Sequence, residues 1–416
     1  MPGHSGFNTA SVMDHAAVIL RRLTRSKERS PSGQERSEAA LEPRPISAKQ
    51  REVRFSDFQS VAALKERAGW QKDTFENWCW LWQQNPAIAV AKSQPSMGWV
   101  LETTRGIVGY QGSIPRLYRF GARTLVTATG TSLVVEPAYR ARGIGLLASF
   151  YRQSGIDLFL ITTALPIVGE ASKLLGARAL PQCDYGTALY WVLDARQFAK
   201  AVALRLGLTG RMAAAGTVLG LWALRADIRI HRRRPRHINK FSITEIQVKD
   251  IGNEFQALWE RKIAEKPRLM ADRSASSLKW HFAVPHSSST IVVLCCHRFG
   301  RLAGYAIVRH TIDPETGIRK GMLADFLIEQ DDGSVAASLL DAAYANAVAL
   351  GDHVFEAWLP QNIRQILMHW NPYAKSLYPH IPFFYKVMDQ GLAQTLLDRN
   401  AWYAGPFDED TSLMRR

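Results

Sequence analysis

The feature that most constrains the fold is a buried strand joined to a helix through two closely spaced glycines. The strand is predicted over Thr131–Val135, and Pro137 ends it because proline lacks the N–H that a strand ladder needs. In the helix that follows, apolar residues at i, i+3, i+4 and i+7 predict one buried face formed by Ile144, Leu147, Ala148 and Tyr151. The run therefore predicts a strand, a glycine turn and a helix in immediate succession.

The turn itself has the chemistry of a diphosphate site. Gly143 and Gly145 carry no side chain that would keep a phosphate away from the N–H groups of the first helical turn. Those N–H groups have no intrahelical acceptor and lie at the positive end of the helix dipole. Arg140 and Arg142 add positive charge that suits phosphate oxygens. The chain has neither the G-x-G-x-x-G dinucleotide fingerprint with its acidic partner nor a P-loop, which disfavours those two nucleotide-binding classes.

Arg140, Gly143 and Gly145 match R/Q-x-x-G-x-G/A, and the run resembles the cofactor motif of the GNAT acyltransferase superfamily. The order of elements agrees, because Asp157–Ala164 is predicted to be a buried strand and Pro166 to begin a helix that ends at Gly176. The resemblance implies an α/β fold with a mixed sheet and an acyl-CoA co-substrate, acetyl-CoA or another acyl-CoA. It also implies main-chain contacts to the pantetheine from Leu133, Val134 and Val135, and diphosphate contacts from Arg140, Ala141, Arg142, Gly143, Ile144 and Gly145.

The length of 416 residues favours two domains, and the two halves share a faint repeat. Gly106–Tyr110 parallels Arg301–Tyr305 at an offset near 195 residues, and other landmarks follow in the same order. We therefore expect two tandem GNAT-like domains. The predicted divisions are an unstructured extension over 1–50, a GNAT domain over 51–198, a basic linker helix region over 199–240 and a degenerate GNAT-like domain over 241–416.

The second half lacks the glycine turn. Its strand over Met322–Ile328 is followed by Glu329, Asp331 and Asp332, whose carboxylates would repel a diphosphate at the start of the next helix. We therefore expect the second domain to bind acyl-CoA poorly. It would cover the acceptor groove of the first domain, bind an acceptor of its own, or be structural.

The resemblance implies direct transfer, in which a deprotonated amine attacks the thioester and an acid protonates the thiolate. Many family members use a tyrosine acid, but the matching position here is Ser172. Tyr185 and Asp184 are the remaining candidates nearby. Tyr185 either protonates the leaving thiolate or is a turn tyrosine that fills the edge of the core, and Asp184 is either a catalytic group or an ordinary turn residue. The catalytic residues are therefore left unassigned by the sequence.

Composition limits the partners. The formal net charge is +15, and much of the excess lies in 212–240, where an apolar run is followed by arginines. This segment predicts either a linker helix packed between domains or weak peripheral contact with an anionic membrane surface. Nucleic acid is disfavoured because no aromatic residues alternate with the arginines. The scattered cysteines predict reduced thiols, no metal site and a cytoplasmic protein.

Three functions remain open at this point. The first is an N-acyltransferase, most simply an N-acetyltransferase, that moves an acyl group from acyl-CoA to the amine of a small molecule or a sugar. The second is a non-catalytic acyl-CoA-binding sensor or scaffold. The third is a Fem-type aminoacyl transferase, against which the diphosphate turn argues.

Overall fold

The computed structural model describes residues 46–71, 73–91, 94–182, 185–233, 240–285, 287–359, 361–377, 380 and 382–413. These residues belong to one compact unit that begins at Ile46. Of the predicted extension over 1–50, residues 1–45 lie outside the described part of the chain. Its last residues already form part of strand β1 (Lys49–Glu52), an edge strand whose Arg51 pairs with Glu102 of the neighbouring strand. Regular structure therefore starts before the boundary expected at residue 51.

The first sheet is mixed. Strands β1 to β4 are antiparallel neighbours, β4 pairs in parallel with β5, and β15 and β6 complete that side. A short strand, β9, pairs with the far end of β3. The bounds are β2 (Gly98–Thr103), β3 (Gly106–Phe120), β4 (Arg123–Val135), β5 (Leu158–Ile161), β6 (Arg178–Ala179), β9 (Leu269–Ala271) and β15 (Phe384–Val387).

The second sheet repeats this pairing pattern. Strands β8, β10, β11 and β12 are antiparallel neighbours, β12 pairs in parallel with β13, and β7 and β14 complete the sheet. The bounds are β7 (Thr187–Val192), β8 (Ile243–Ile246), β10 (Thr290–Arg298), β11 (Arg301–Ile312), β12 (Arg319–Ile328), β13 (Val354–Ala357) and β14 (Tyr373–Ser376).

Each half of the chain contributes a strand to the sheet of the other half. β7 follows the first sheet in sequence but pairs with β13 and β14 of the second. β15 comes from the last part of the chain and pairs with β5 and β6 of the first. Trp191 on β7 is fully buried in the second sheet and donates a hydrogen bond to the carbonyl of Trp370. The two sheets therefore cannot separate without breaking main-chain hydrogen bonds in both.

Helices cover both faces of the first sheet. Helices α1 (Phe58–Arg67), α2 (Phe75–Trp82) and α3 (Pro86–Val90) precede β2, and the first two pack on the face that carries Val100 and Val134. Helices α4 (Gly143–Phe150) and α5 (Pro166–Leu174) lie on the opposite face. The predicted buried face of α4 is partly wrong, because Ile144 is about half exposed. Leu146, Leu147, Phe150 and Tyr151 form the buried face instead.

A helical hairpin follows β7. It consists of α6 (Ala195–Arg205) and α7 (Gly210–Ile230), and it packs on the edge of the second sheet through Val192 and Leu221. Among the described residues, no helix combines the length and apolar character that a membrane crossing requires. The remaining helices are α8 (Asn253–Glu265), α9 (Ala275–Phe282), α10 (Gly333–Ala349), α11 (Gln361–Met368) and α12 (Gln390–Thr395).

A reciprocal tryptophan pair joins the two halves. Trp80 on α2 and Trp280 on α9 stack with ring centroids 5.0 Å apart. Each indole N–H donates to the main-chain carbonyl of the other tryptophan at 3.0 Å. One tryptophan from each half thus contacts the other with the same geometry in both directions.

Candidate functional site

The centre of the candidate site is the gap that opens between β4 and β5. Their parallel pairing runs from Thr127 opposite Leu158 to Gly130 opposite Ile161 and stops there. β4 continues to Val135, so no described strand pairs with this side of its last five residues. β5 is shorter than the predicted Asp157–Ala164, because Thr162 and Thr163 turn away to hydrogen-bond elsewhere. The gap leaves main-chain groups of β4 free of a strand partner.

A β-bulge shapes the last part of β4. Thr131 lies opposite Gly112 and Val134 opposite Tyr110, so two residues of β4 face one residue of β3. Ser132, inside the bulge, has a φ of +54°, a conformation that non-glycine residues seldom adopt. A bulge bends its strand and increases the local twist. Leu133, Val134 and Val135, the predicted pantetheine contacts, therefore lie on the bent, unpaired end of β4.

The glycine turn follows directly. Residues Pro137–Arg142 form a 3₁₀ helix that continues into α4, whose first residues have no side-chain cap. Arg140 and Arg142 are exposed, and within the described part of the chain neither has a hydrogen-bond or ion-pair partner. The Gly143 N–H donates to the Arg140 carbonyl, but no side chain caps the start of α4. The positive end of the helix dipole and the unpaired guanidinium groups together favour an anion. The structure thus brings Leu133–Val135 and Arg140–Gly145 together at one end of β4.

The two glycines face different surroundings. A side chain at Gly143 would meet only Val135, at an ordinary 3.6 Å. A side chain at Gly145 would lie 3.1 Å from the Gln50 amide oxygen of β1, and Gln50 is held there by a hydrogen bond to Ser149. Gly145 therefore serves close packing of α4 on β1, while Gly143 has room for a side chain on the protein side.

The end of the chain reaches the mouth of the gap. The Asp410 carboxylate accepts hydrogen bonds from the hydroxyls of Thr162 (3.0 Å) and Thr163 (2.8 Å), directly after β5. The Thr162 hydroxyl in turn accepts from the Asp410 main-chain N–H. Leu413 is fully buried and packs in the cluster that contains Val134 of β4. A buried carboxylate thus lies where the two strands separate.

Sequence reasoning missed Asp410. The sequence shows an acidic run, Asp408-Glu409-Asp410, near the end of the chain. Nothing within that run indicates a contact with Thr162, which lies 248 positions earlier. The contact depends on the path of the last residues across both halves.

A buried ionic cluster fixes that path. Arg273 is buried, pairs with Asp325 of β12 at 3.0 Å and lies 4.0 Å from Asp408. The Tyr118 hydroxyl donates to Asp408 at 2.7 Å, and the Arg116 guanidinium donates to the carbonyls of Phe407 and Asp408. Burial raises the pKa of Asp408, and the nearby arginines oppose that shift. The cluster holds the segment that ends in Asp410.

A small polar cavity borders the other face of β4. It has a volume of about 10 Å3, enough for about one water molecule, and is lined by Lys65, Asp73, Asn77, Trp78, Leu81, Trp82, Tyr110 and Thr131. Lys65 forms an ion pair with Asp73 at 2.6 Å. Burial, reinforced by the charge of Asp73, raises the pKa of the Tyr110 hydroxyl. Within the described part of the chain, the Asn77 side-chain oxygen and the indole N–H groups of Trp78 and Trp82 have no hydrogen-bond partner. The cavity therefore offers unsatisfied polar groups beside the bulge.

The two catalytic candidates from the sequence are not brought into the gap by any described contact. Tyr185 is buried in the main core, with its ring against Trp358 and Phe383. Asp184 lies outside the described residues. Ser172, at the position of the family's tyrosine, donates to the Val168 carbonyl of its own helix.

The carboxylates of the acidic turn in the second half form ion pairs with nearby lysine and arginine side chains. Glu329 pairs with Arg261 at 2.8 Å, and Asp331 pairs with Lys262 at 2.7 Å and Arg268 at 3.0 Å. Asp332 caps α10 by accepting from the N–H groups of its first turn. No described group of three or more His, Cys, Asp or Glu side chains is arranged to hold a metal ion, here or elsewhere. The turn is an ion-pair network.

The unpaired part of β12 is also occupied. β12 pairs with β13 only as far as Met322 opposite Glu356. Beyond that point the Tyr403 hydroxyl donates to the Phe326 carbonyl at 2.8 Å, and the Arg273–Asp325 pair lies in the same region. The gap of the second sheet is therefore filled by the chain itself.

No family model and no curated protein matches the chain. Solved structures are similar to it. A GCN5-related N-acetyltransferase from Kribbella flavida matches with a TM-score of 0.50 and 11% identity over 82% of this chain and 71% of its own. A conserved protein of unknown function from Enterococcus faecalis V583, titled a probable N-acyltransferase, matches with a TM-score of 0.53 and 7% identity over 82% and 73%. At these identities the similarity concerns the fold, and the chain has a GNAT-type fold.

Proposed function

We propose that this protein is an N-acyltransferase that moves an acyl group from acyl-CoA, most simply acetyl-CoA, to an amine. The observation that carries the proposal is the gap in the first sheet, where an unpaired strand end leads to a helix without a side-chain cap and to two arginines whose side chains have no described partner. The proposal extends to this chain the transfer for which the Kribbella flavida protein is named.

The residues of the gap fit the co-substrate. The unpaired main chain of Leu133–Val135 would bind the amides of the pantetheine, as an added strand would. Arg140 and Arg142 with the N–H groups of the turn would bind the diphosphate. Acyl-CoA supplies an acyl group activated as a thioester. The second half offers no comparable place, because its turn and strand gap are filled by its own side chains.

Asp410 is the candidate general base. It would accept the proton that the attacking amine gives up as the new amide bond forms, while Thr162 and Thr163 hold the carboxylate at the end of β5.

The diphosphate site is tested by calorimetry with CoA and with pantetheine, which lacks the diphosphate. Replacing Arg140 and Arg142 by alanine should weaken CoA binding roughly tenfold or more for each arginine, the range of a lost charge-assisted hydrogen bond. Binding of pantetheine should not change. Arg105→Ala, in the exposed turn between β2 and β3, is the matched control. Equal affinity of wild type and double variant for CoA would refute the site.

The base is tested by thiol release from acetyl-CoA with a panel of amines. Asp410→Asn should lower kcat by about 10²-fold or more while the dissociation constant of CoA stays the same. Glu409→Gln changes the neighbouring carboxylate and should keep the activity of the wild type. Full activity in Asp410→Asn would remove Asp410 from the mechanism.

A non-catalytic acyl-CoA sensor is the second candidate, because a serine bonded within its own helix replaces the expected tyrosine acid. It predicts CoA binding without thiol release for every amine in the panel. Thiol release that is lost in Asp410→Asn would favour the N-acyltransferase over the sensor.

A further inference from the structure

Helix α7 is attached to the protein by one face. Leu221 and Leu224 are buried against Val192 and Ala199. At the end of the helix, Arg233 pairs with Asp227 at 2.7 Å and lies over the Tyr373 ring at 4.1 Å. The helix is therefore held in a fixed orientation, and its opposite side is a defined surface.

That opposite side carries most of the exposed large apolar side chains of the helix. Large side chains that are all more than half exposed follow one another on it, and we call them the outer face: Met212, Val218, Leu219, Trp222 and Ile230. At a rise of 1.5 Å per residue they extend over about 27 Å. Soluble proteins seldom expose this many large apolar side chains on one side of a helix without using them.

Arginines lie among the outer-face residues and beside them. Arg211, Arg225, Arg229 and Arg232 are exposed, and none of them has a partner among the described residues. The one acidic residue of the helix, Asp227, is bound by Arg233 and His231 on the inner side. The surface thus combines apolar side chains, a tryptophan and uncompensated positive charge.

We infer that the outer face of α7 binds an anionic membrane surface. Apolar side chains enter the boundary between headgroups and acyl chains, and arginines at the same depth meet lipid phosphates. Tryptophan favours this interface because its ring is apolar and its N–H is polar. Charge complementarity argues for a lipid surface over a second copy, because paired copies would bring the same arginines close to one another. The helix would lie flat on the surface.

The inference is tested with the full-length protein and sedimenting vesicles of phosphatidylcholine, with or without phosphatidylglycerol. We expect binding to the anionic vesicles that decreases as salt is raised, and little binding to phosphatidylcholine alone. Leu219→Glu combined with Trp222→Glu should lower the partition coefficient at least tenfold. Arg225→Gln and Arg229→Gln should each lower it about fivefold, as expected for one basic residue at such a surface.

Matched controls lie elsewhere on the surface. Phe299→Glu changes a more exposed apolar residue in the turn between β10 and β11, and Arg105→Gln removes an unpaired exposed arginine. Both should bind as the wild type does, and circular dichroism should show all variants folded. Absence of vesicle binding, or equal binding by the outer-face variants, overturns the inference. A dimer in light scattering that the Leu219→Glu, Trp222→Glu variant dissociates, without vesicle binding by the wild type, overturns it in favour of self-association.

Discussion

Arg273 is predicted to hold the end of the chain in place. Its guanidinium is buried, pairs with Asp325 at 3.0 Å and lies 4.0 Å from Asp408. Arg273→Met keeps a side chain of similar length but leaves both carboxylates buried without their cation. The Asp410 segment depends on this contact, so stability and the proposed transfer activity should both decrease.

The magnitude follows from the geometry. The Coulomb attraction between Arg273 and Asp408 at 4.0 Å is about 4 kcal/mol at an effective dielectric constant near 20. Loss of the ion pair with Asp325 increases the cost of the substitution. The cost is reduced because the variant no longer has to bury a guanidinium group. Removal of one partner of a buried pair costs about 3–5 kcal/mol in free energy of unfolding. We expect a loss in that range at pH 7.

The loss should depend on pH with a definite sign. A buried carboxylate whose folded-state pKa is raised destabilises the fold above its unfolded-state pKa, so the penalty lessens as the pH falls and the group is protonated. Burial already raises the pKa of Asp408 in the wild type, and the variant lacks Arg273, the stronger of the two arginines that oppose this shift. The deficit of Arg273→Met should therefore be smaller at pH 5 than at pH 7.5.

Urea unfolding at both pH values measures these effects. Arg123→Met is the control, because the Arg123–Asp389 pair has a similar distance of 2.7 Å but is largely exposed, and it should cost less than about 1 kcal/mol. A cost of Arg273→Met no greater than that of the control, or one that does not change with pH, would refute the reasoning.

Three further outcomes are expected. Hydrogen bonds and charges from its basic partners outweigh the effect of burial and hold the pKa of Asp331 at about 2, below the usual 3.8. This stabilisation, roughly 2 kcal/mol, should be lost as the pH falls from about 4 to 2, and Asp331→Asn should remove that part of an acid unfolding curve. Substituting phenylalanine for Trp80 and Trp280, singly and together, should give a coupling energy of about 0.5–1.5 kcal/mol in a double-mutant cycle, whereas additive losses would contradict their stacking. Gly304→Ala should destabilise the protein by about 1–3 kcal/mol in thermal unfolding, because its Cβ would lie 2.7 Å from Ile328 and 2.9 Å from the Leu327 carbonyl.

The local run around the glycine turn was readable from the sequence. The strand that ends at Val135, a helix directly after the glycine turn and the helix that begins at Pro166 are confirmed. These elements depend on contacts within a few residues, such as proline geometry and apolar spacing. Ile144 shows the limit, because the same spacing allows more than one buried face and packing on the sheet selects between them.

The end of β5 shows a second limit. The apolar run predicted a strand as far as Ala164, yet the strand stops at Ile161. Thr162 and Thr163 leave it because their hydroxyls bind Asp410, a partner from the other end of the chain. No pattern within the run carries that information.

By itself the sequence determined the strand that ends at Val135, the basic, glycine-containing turn and the helix after it, because those features arise from neighbouring residues. Only the tertiary structure decided that β7 joins the second sheet and β15 the first, and that Asp410 lies at the opening between β4 and β5. These contacts join residues hundreds of positions apart. They form because the buried Arg273 cluster and the shared core fix the path of the last segment, which no local propensity encodes.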